Sequence, residues 1–511
     1  MPGTFLTRVE ERRVSRRSAL VDSEGAVTYA DLDARSRQIA ASLRGDQGDL
    51  EEARVAFLIP PGADYVAVLL GIWRAGGIAV PLPVTHPPAE LAFVVQDSDA
   101  SIVITTPELL DKAAPAAGEP AGARTVYIVR DGKLMTMTAS PARGSPGNLA
   151  LPAVDATRRA LILYTSGTTG KPKGVVSTHR NIAAQIESLV RAWEWREDDR
   201  TLLVLPLHHV HGIVNVVGCA LWAGAICEMH PKFDADTTWD RLASGEITVF
   251  TAVPTIYYRL IASWEASASD VRRRRAQGAR AARLMMSGSA ALPARILERW
   301  REITGQVLLE RYGMTEIGMA LANPLHGARL PGRVGGPLPG VEVRLAGEDG
   351  CPVPENVPGE IVVRGDTVFG EYWRRPEATR EAFRDGWFRT GDLAVAEDGA
   401  YRLLGRTSVD IIKSGGHKIS ALEIEDVLRE HPAIAECAVV GVDDEEWGQR
   451  VCAAVELKPA ERLTLADLEP WARARLAPHK IPKVLRAVTT LPRNAMGKVV
   501  KPDVAALFEK P

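Results

Sequence analysis

The stretch that decides the fold is Ala160-Leu161-Ile162-Leu163-Tyr164-Thr165-Ser166-Gly167-Thr168-Thr169-Gly170-Lys171-Pro172-Lys173-Gly174. Its first residues form an apolar run typical of a buried strand, and a helical pattern begins near His179. Between them, glycines and small hydroxyl residues let successive N–H and O–H groups turn toward an anion, and two lysines add positive charge. The stretch therefore predicts a phosphate-binding loop between a strand and a helix. Taken by composition alone, it is equally typical of a flexible surface turn.

The loop does not fit the common nucleotide-binding pattern G-x-x-x-x-G-K-[ST]. Thr165 stands five residues before Gly170, where that pattern requires glycine. Pro172 follows Lys171, where the pattern requires serine or threonine. An ordinary P-loop kinase or GTPase is therefore disfavoured.

Outward from the loop, short apolar runs alternate with segments of helical period. This alternation predicts an α/β fold with parallel strands in layers. The stretch from Ala113 to Pro152 is rich in Ala, Pro and Gly, and we expect a mobile connection with strand character only at Thr125–Val129. The predicted strands include Val55–Ile59, Ser101–Thr105, Thr201–Leu205 and Ile247–Ala252, and the predicted helices include Thr28–Leu43 and Ala63–Ala75.

The pattern changes twice in the second half of the chain. From Glu342 to Tyr401, alternating strands with Gly, Asp and Pro turns predict a β-rich subdomain. After Gly405 follows an α+β unit of about 100 residues, which is enough for a core of its own. We therefore predict a large N-terminal domain, residues 1–405, and a small C-terminal domain, residues 406–511.

Composition narrows the class of protein. Of 511 residues, 62 are Lys or Arg and 64 are Asp or Glu, a near-neutral balance that gives no reason to expect nucleic-acid or acidic-membrane binding. The five cysteines are scattered, which excludes a disulfide scaffold and fits a reducing compartment. The longest charge-free apolar stretch, Gly212–Cys227, is too short for a membrane span. The N-terminal arginines are interrupted by Glu10 and Glu11, so we expect a cytoplasmic protein without a transit peptide.

Several motifs in a fixed order make the chain resemble the adenylate-forming superfamily, which contains acyl-CoA synthetases, luciferases and peptide-synthetase adenylation domains. The resemblance covers nearly the whole chain. It is carried by the phosphate loop and by Ser287-Gly288-Ser289-Ala290, Glu310-Arg311-Tyr312-Gly313-Met314-Thr315-Glu316, Arg389-Thr390-Gly391-Asp392, Gly405-Arg406 and Pro492-Arg493-Asn494-Ala495-Met496-Gly497-Lys498.

The resemblance implies a reaction in two steps. A carboxylate attacks the α-phosphate of ATP, giving an acyl-adenylate and pyrophosphate, and the thiol of coenzyme A then displaces AMP. Thr165, Glu316, His209 and Lys498 would be catalytic, and Glu316 would bind Mg²⁺, which prefers oxygen ligands. The small domain would rotate between the steps, but the hinge segment after Arg406 is one residue longer than the common pattern, so the hinge residue stays open. The nucleotide-binding residues implied are Thr165, Ser166, Gly167, Thr168, Thr169, Gly170, Lys171, Lys173, Ser289, Ala290, Glu310, Arg311, Tyr312, Gly313, Met314, Thr315, Asp392, Arg406 and Lys498.

For the acid, the resemblance is to malonyl-CoA and methylmalonyl-CoA synthetases, through Val253-Pro254-Thr255-Ile256-Tyr257-Tyr258-Arg259 and the segments around Ser289 and Arg311. The block Pro206–Gly212 has three histidines and no acidic residue, which counts against an amino-acid substrate. A guanidinium suits a carboxylate through two parallel hydrogen bonds. We therefore expect Arg259, with Ser289 and His211, to bind the distal carboxylate of a small dicarboxylate, and His209 and Met314 to line the acid.

Other functions stay open at this point. Arg259 on a solvent face would fit a ligase for a short or medium monocarboxylate. A carrier-protein-loading adenylation enzyme and a non-catalytic homologue are further alternatives, although Lys498, Glu316, Thr165 and Asp392 are all present. We expect ATP, Mg²⁺ and coenzyme A to be used, no nucleic acid or membrane to be bound, and the assembly to be a monomer or weak homodimer.

Overall fold

Two large sheets form the body of the protein in the computed structural model, which describes residues 4–118, 124–137, 150–165, 172–414, 417–494 and 497–509. The α/β class predicted from the sequence is confirmed. A nine-stranded sheet is parallel through its six central strands and has antiparallel strands at its ends. In spatial order its strands are Gly336–Pro337, Gly318–Ala322, Leu309–Met314, Leu284–Ser287, Val249–Ala252, Arg200–Leu203, Ile226–Met229, Ser18–Asp22 and Gly25–Thr28.

The eight-stranded sheet carries the strand that leads into the phosphate loop. That strand, Arg159–Thr165, runs parallel to Ile78–Pro81 and antiparallel to Lys173–Thr178. The two ends of the loop are thereby joined as a hairpin, with Thr165 paired with Lys173. In spatial order the strands are Glu371–Tyr372, Lys173–Thr178, Arg159–Thr165, Ile78–Pro81, Arg54–Leu58, Ile102–Thr105, Thr125–Arg130 and Lys133–Thr136.

Two smaller sheets complete the fold. The predicted β-rich subdomain is an antiparallel sheet of Glu342–Ala346, Gly359–Arg364, Trp387–Glu397, Phe383–Arg384 and Ala400–Arg406. The C-terminal α+β unit has a sheet of His417–Ser420, Ile411–Ser414, Gly448–Leu457, Ile434–Asp444 and Val484–Val488.

Helices cover the sheets. A π-helix, His211–Gly218, runs into the α-helix Cys219–Ala223, and short 3₁₀ helices occupy Pro107–Leu109 and Pro478–Lys480. The described residues contain no helix with the length and apolarity needed to cross a bilayer. The other α-helices are Phe5–Glu10, Tyr29–Arg44, Ala63–Arg74, Pro88–Asp97, Leu110–Ala117, His179–Ala192, Ala235–Ala243, Pro254–Ala266, Ser269–Ala279, Ala294–Thr304, Pro376–Ala382, Ala421–Arg429, Leu465–Arg473 and Lys501–Glu509.

One expectation about the fold needs correction. The segment from Ala113 to Pro152 was expected to contain a strand only at Thr125–Val129. The structure adds the end of the helix Leu110–Ala117 and a second strand, Lys133–Thr136, which pairs antiparallel with Thr125–Arg130. The strand was missed because it is short and largely exposed, and its two adjacent apolar residues, Leu134 and Met135, do not alternate with polar ones as in a half-buried strand.

The hydrophobic cores follow the division into large and small units. One continuous core packs residues of both large sheets and of the β-rich sheet, whereas separate clusters lie on the two faces of the C-terminal sheet. The boundary predicted at Gly405–Arg406 falls at the end of the strand Ala400–Arg406.

Candidate active site

The predicted functional residues gather where parallel strands of the two large sheets end. Thr165 ends Arg159–Thr165, and the segments with Thr255, Ser289 and Glu316 follow three neighbouring strands of the nine-stranded sheet. Ligands of open α/β sheets bind outside the carboxyl ends of strands. Residues Ser166, Gly167, Thr168, Thr169, Gly170 and Lys171 lie outside the described residues, so their predicted contacts with phosphate stay predictions.

Glu316 lies in a small cluster beside the phosphate loop. Its carboxylate is buried and accepts a hydrogen bond of 3.0 Å from the Tyr372 hydroxyl, and burial raises the pKa of this carboxyl. The Lys173 ammonium lies 5.3 Å from the centre of the Tyr372 ring. Tyr372 therefore links the predicted metal ligand to a predicted phosphate ligand. No motif in the sequence points to Tyr372, because only the pairing of Glu371–Tyr372 with Val175 and Val176 brings it here.

These residues fit a magnesium ion. The described residues contain no group of three or more His, Cys, Asp or Glu side chains that could hold a metal. Mg²⁺ is usually bound by one or two carboxylates together with substrate phosphates, and keeps several waters. One buried carboxylate beside a phosphate loop supplies that kind of site.

Asp392 is held by two other predicted nucleotide ligands. Its carboxylate accepts hydrogen bonds from Arg406 Nε at 2.8 Å and from the Tyr312 hydroxyl at 2.7 Å. Gly313 follows Tyr312 and has to be a glycine, because a Cβ there would lie 2.1 Å from the carbonyl oxygen of Gly318. Met314 and Thr315 come next, at the end of the strand, and are partly exposed.

Lys498 reaches this site from the small C-terminal unit. The loop that carries it lies on the helix Pro254–Ala266, since a Cβ on Gly497 would lie 3.5 Å from Thr255 Oγ1. Burial and the charge of Arg406 lower the pKa of the Lys498 ammonium, and Asp392 opposes this effect. The backbone N–H of Lys498 donates to Asn494 Oδ1 at 3.0 Å.

Three histidines line the opposite side of the site. The rings of His208 and His209 have their centres 4.1 Å apart, and His86 packs on His208 at 5.9 Å. Burial lowers the pKa of His209 to about 4, with help from the positive charge of Lys498. His209 Nε2 is buried and has no hydrogen-bond partner among the described residues. His209 is thus a neutral ring, and its place beside the reacting carboxylate stays a prediction.

His211 and Ser289, both predicted to bind the acid, are in contact. His211 Nδ1 lies 3.1 Å from Ser289 Oγ, and His211 Nε2 lies 2.9 Å from Thr251 Oγ1. His211 is the first residue of the π-helix, a rare form often found at functional sites. Thr251 was missed because it lies inside a buried strand and has no motif of its own.

Arg259 occupies an exposed position on the helix Pro254–Ala266. Its guanidinium lies 5.7 Å from the centre of the Phe233 ring, and no described residue forms a hydrogen bond or ion pair with it. It lies one turn beyond Thr255 on the same side of the helix. The structure therefore places Arg259 on the helix face that the Lys498 loop contacts.

Arg311 points away from the nucleotide residues with which it was grouped. The Arg311 guanidinium contacts His211 Nε2 and Thr251 Oγ1, on the opposite face of the strand from Tyr312. Glu310 is buried and accepts a hydrogen bond of 3.3 Å from the backbone N–H of Leu292, and burial raises its pKa to about 8. Ala290 is exposed.

The arrangement suits the activation of an acid by a nucleotide. Lys498, Lys173 and Arg406 supply positive charge around the predicted phosphate site, and such fixed charges stabilise the negative charge that develops in phosphoryl and adenylyl transfer. His211 and Ser289 contact each other, Thr255 lies against Gly497 in the loop of Lys498, and the charge of Lys498 acts on His209.

Comparisons with known proteins agree with this geometry. The model of the family "AMP-binding enzyme" matches residues 6–373, and that of the "AMP-binding enzyme C-terminal domain" matches residues 423–498. The mitochondrial malonate–CoA ligase ACSF3 of Mus musculus is 47% identical over 96% of this chain and 88% of its own length. The malonate–CoA ligase of Arabidopsis thaliana is 43% identical over 90% of this chain and 79% of its own. The crystal structure of ATP-bound MatB from Rhodopseudomonas palustris superposes with a TM-score of 0.89 at 34% identity, covering 100% and 99% of the two chains.

Proposed function

Because the chain belongs to the family of AMP-binding enzymes, we propose that it ligates malonate, or methylmalonate, to coenzyme A in an ATP-dependent reaction that releases AMP and pyrophosphate. The enzyme is an AMP-forming acid–thiol ligase. The observation that carries the choice of acid is the contact between His211 and Ser289 at 3.1 Å. The buried guanidinium of Arg311 contacts His211. Ser289 follows the strand next to the one that leads into the helix of Arg259.

Different residues bind the two carboxylates of the acid. Lys498 and His209 flank the carboxylate that attacks the α-phosphate, with Thr315 at that phosphate. Ser289 and Arg259 hold the distal carboxylate, His211 supports Ser289 from behind, and Met314 lines the space between. Glu316 would hold Mg²⁺, which would neutralise phosphate charge.

Nucleotide binding uses the other group of residues. Asp392 accepts from the two ribose hydroxyls, since a carboxylate offers two oxygens for this purpose, and Arg406 fixes its orientation. The loop from Thr165 to Lys173 holds the β- and γ-phosphates. After adenylate formation, rotation of residues 406–511 withdraws Lys498 and admits the thiol of coenzyme A, a gating motion of a rigid unit.

The test is acid-dependent AMP formation with ATP, Mg²⁺ and coenzyme A, comparing malonate, methylmalonate, acetate, butyrate and benzoate. We expect a strong preference for the two dicarboxylates. Arg259→Ala should lower kcat/KM for malonate by about a hundredfold, because a charge-assisted pair with the distal carboxylate is lost. Turnover of acetate should change little, because acetate has no second carboxylate.

The matched control is Arg273→Ala, which removes another exposed arginine, on the neighbouring helix Ser269–Ala279. Its activity with malonate should equal that of the wild type. If Arg259→Ala and the wild type use malonate and acetate in the same ratio, Arg259 does not bind the distal carboxylate.

One observation favours a second candidate. The Arg259 side chain is exposed and has no polar partner among the described residues, which also fits a ligase for a short or medium monocarboxylate. In the same panel, preference for butyrate or acetate over malonate would establish that alternative and keep the enzyme class.

The proposal includes a cytoplasmic location and a monomer or weak homodimer. The support for a reducing compartment is that the five cysteines are free thiols, four of them buried. Light scattering after size-exclusion chromatography measures the molar mass of the assembly. Fractionation of the source cells shows the compartment in which the protein is found.

A further inference from the structure

Arg311 is a buried cation without an acidic partner. Its side chain is almost fully enclosed, at 3% exposure, and no described Asp or Glu carboxylate pairs with it. It donates to Met319 Sδ at 2.8 Å and to Thr251 Oγ1 at 3.2 Å, and Trp193 lies 5.8 Å away under its guanidinium. Burying an unpaired charge destabilises a fold unless something compensates for it. The missing negative charge is therefore expected from a ligand.

The contact between Arg311 and His211 fixes the proton on the imidazole. Arg311 Nη2 can only donate, so His211 Nε2 accepts from it. Burial is the main cause that keeps the pKa of His211 well below its ordinary value, and the charge of Arg311 adds to the effect. The ring is therefore neutral. A neutral ring that accepts at Nε2 carries its proton on Nδ1. This Nδ1–H lies 3.1 Å from Ser289 Oγ and donates to it.

Ser289 continues the chain of donors toward the pocket. Because its Oγ accepts from His211, its own O–H is free to donate elsewhere. Its backbone has φ of 69°, a left-handed conformation that is uncommon for serine and that often marks a functional turn. The side chain is partly exposed, unlike the buried His211 behind it. The donors thus run from Arg311 through His211 and Ser289 toward the acid.

We propose that Arg311 is a positioning residue for the distal carboxylate of the substrate: it holds His211 with its proton on Nδ1, turns the Ser289 hydroxyl toward the pocket, and supplies the buried positive charge that the carboxylate compensates. This inference rests on the proposed function and adds Arg311, which acts on Ser289 through its contact with His211. It also excludes contact of the Arg311 guanidinium with the nucleotide.

The test compares malonate with monomethyl malonate, which keeps the reacting carboxylate and the chain length but lacks the distal charge. We expect the ratio of their kcat/KM values to fall about tenfold or more in Arg311→Gln, mainly through KM for malonate, while KM for ATP stays within about twofold. Arg311→Lys keeps the charge but not the planar fork, so it should restore part of the ratio.

The matched control is Arg275→Met, which removes a buried arginine whose partner is a carboxylate, Asp236 at 3.0 Å. It should lower the melting temperature and leave the ratio unchanged, whereas Arg311→Gln should change the ratio with a smaller loss of stability. If Arg311→Gln does not fold, Arg311→Lys carries the comparison.

Three results overturn the inference: an unchanged ratio in both Arg311 variants, an equal loss on both acids, or a rise in KM for ATP alone. The proposed function has a different point of failure, because it falls when the wild type itself does not prefer malonate. A ¹⁵N spectrum of the histidines gives a reading without turnover. It should show Nδ1 of His211 protonated in the wild type and a different tautomer balance in Arg311→Gln.

Discussion

At the scale of single residues, the position of a side chain on a strand decided its role. Arg311 and Tyr312 are neighbours in one motif, and the sequence grouped both with the nucleotide. On a strand they face opposite sides, so Tyr312 reaches Asp392 while Arg311 reaches His211. Whether a motif residue faces one pocket or the other depends on the sheet around it. The sequence therefore predicted the membership of the site better than the direction of each side chain.

The proton on His211 gives a prediction at this scale. Asparagine places an amide N–H near the position of Nδ1, whereas glutamine places it near Nε2. Because Ser289 faces Nδ1, His211→Asn should keep the ratio of malonate to monomethyl malonate within about tenfold of the wild type, and His211→Gln should lose more. Steady-state kinetics with both acids measures this. Equal ratios of malonate to monomethyl malonate in His211→Asn and His211→Gln would contradict the assignment of the proton to Nδ1 of His211.

Glu310 gives a prediction about pH. Burial raises its pKa from an ordinary value of 4.5 to about 8, so the folded protein holds a proton that the unfolded chain releases. The contribution of this group to stability is complete below pH 4.5 and is lost as the pH rises through about 8. Glu310→Gln should remove this loss, so its melting temperature relative to the wild type should rise by a few degrees between pH 5 and pH 8. A constant difference in thermal scans would show that Glu310 titrates normally.

At the scale of elements, long apolar patterns were predicted well and irregular ones were not. The strands around Val55, Ile102 and Ile162 lie within a few residues of their predicted ends, because buried parallel strands leave a continuous apolar run. The π-helix from His211 was not predicted, because the sequence shows only that the stretch Gly212–Cys227 is apolar and free of charge. Its extra residue per turn leaves no periodic signature in so short a segment.

One ion-pair cluster joins the helix after Lys498 to the linker after Arg406. Lys501 contacts Glu425 and lies 3.3 Å from Asp410, and Asp410 accepts from the Arg406 N–H at 3.0 Å. The second carboxylate of this cluster thus lies in the hinge segment that departs from the common family pattern. Lys501 ties the loop of Lys498 to that segment.

Removing this tie should affect adenylate formation. Lys501→Met removes the ammonium that lies between the buried Glu425 and the half-buried Asp410, so we expect kcat for pyrophosphate exchange to fall about tenfold while KM for malonate changes less than about twofold. The control is Lys480→Met, which breaks another Lys–Glu pair of the same unit, with Glu423 at 2.5 Å. Equal rates of pyrophosphate exchange in Lys501→Met and Lys480→Met would mean that the ion pairs of Lys501 contribute only to the stability of the fold.

At the scale of the whole molecule, the site depends on units that are distant in the sequence. The phosphate loop follows a strand of the eight-stranded sheet, and the predicted acid ligands follow strands of the nine-stranded sheet. Asp392 belongs to the β-rich sheet, and Lys498 belongs to the small C-terminal unit. Motif order predicted this set of residues through family resemblance. It did not predict Tyr372, Thr251 or Thr255, because each joins the site only through the packing of one unit on another.

The strand Leu309–Met314 acts as a partition: Arg311 faces His211 on one side, where the acid is proposed to bind, and Tyr312 faces Asp392 on the other, the proposed nucleotide side. A slip of one residue along a strand sends every side chain to the opposite face. A single-codon insertion or deletion here would therefore exchange the two sets of ligands at once and damage both substrates' recognition. A point substitution beside this partition changes the contacts on one side alone, whereas a change in its length changes the contacts on both sides.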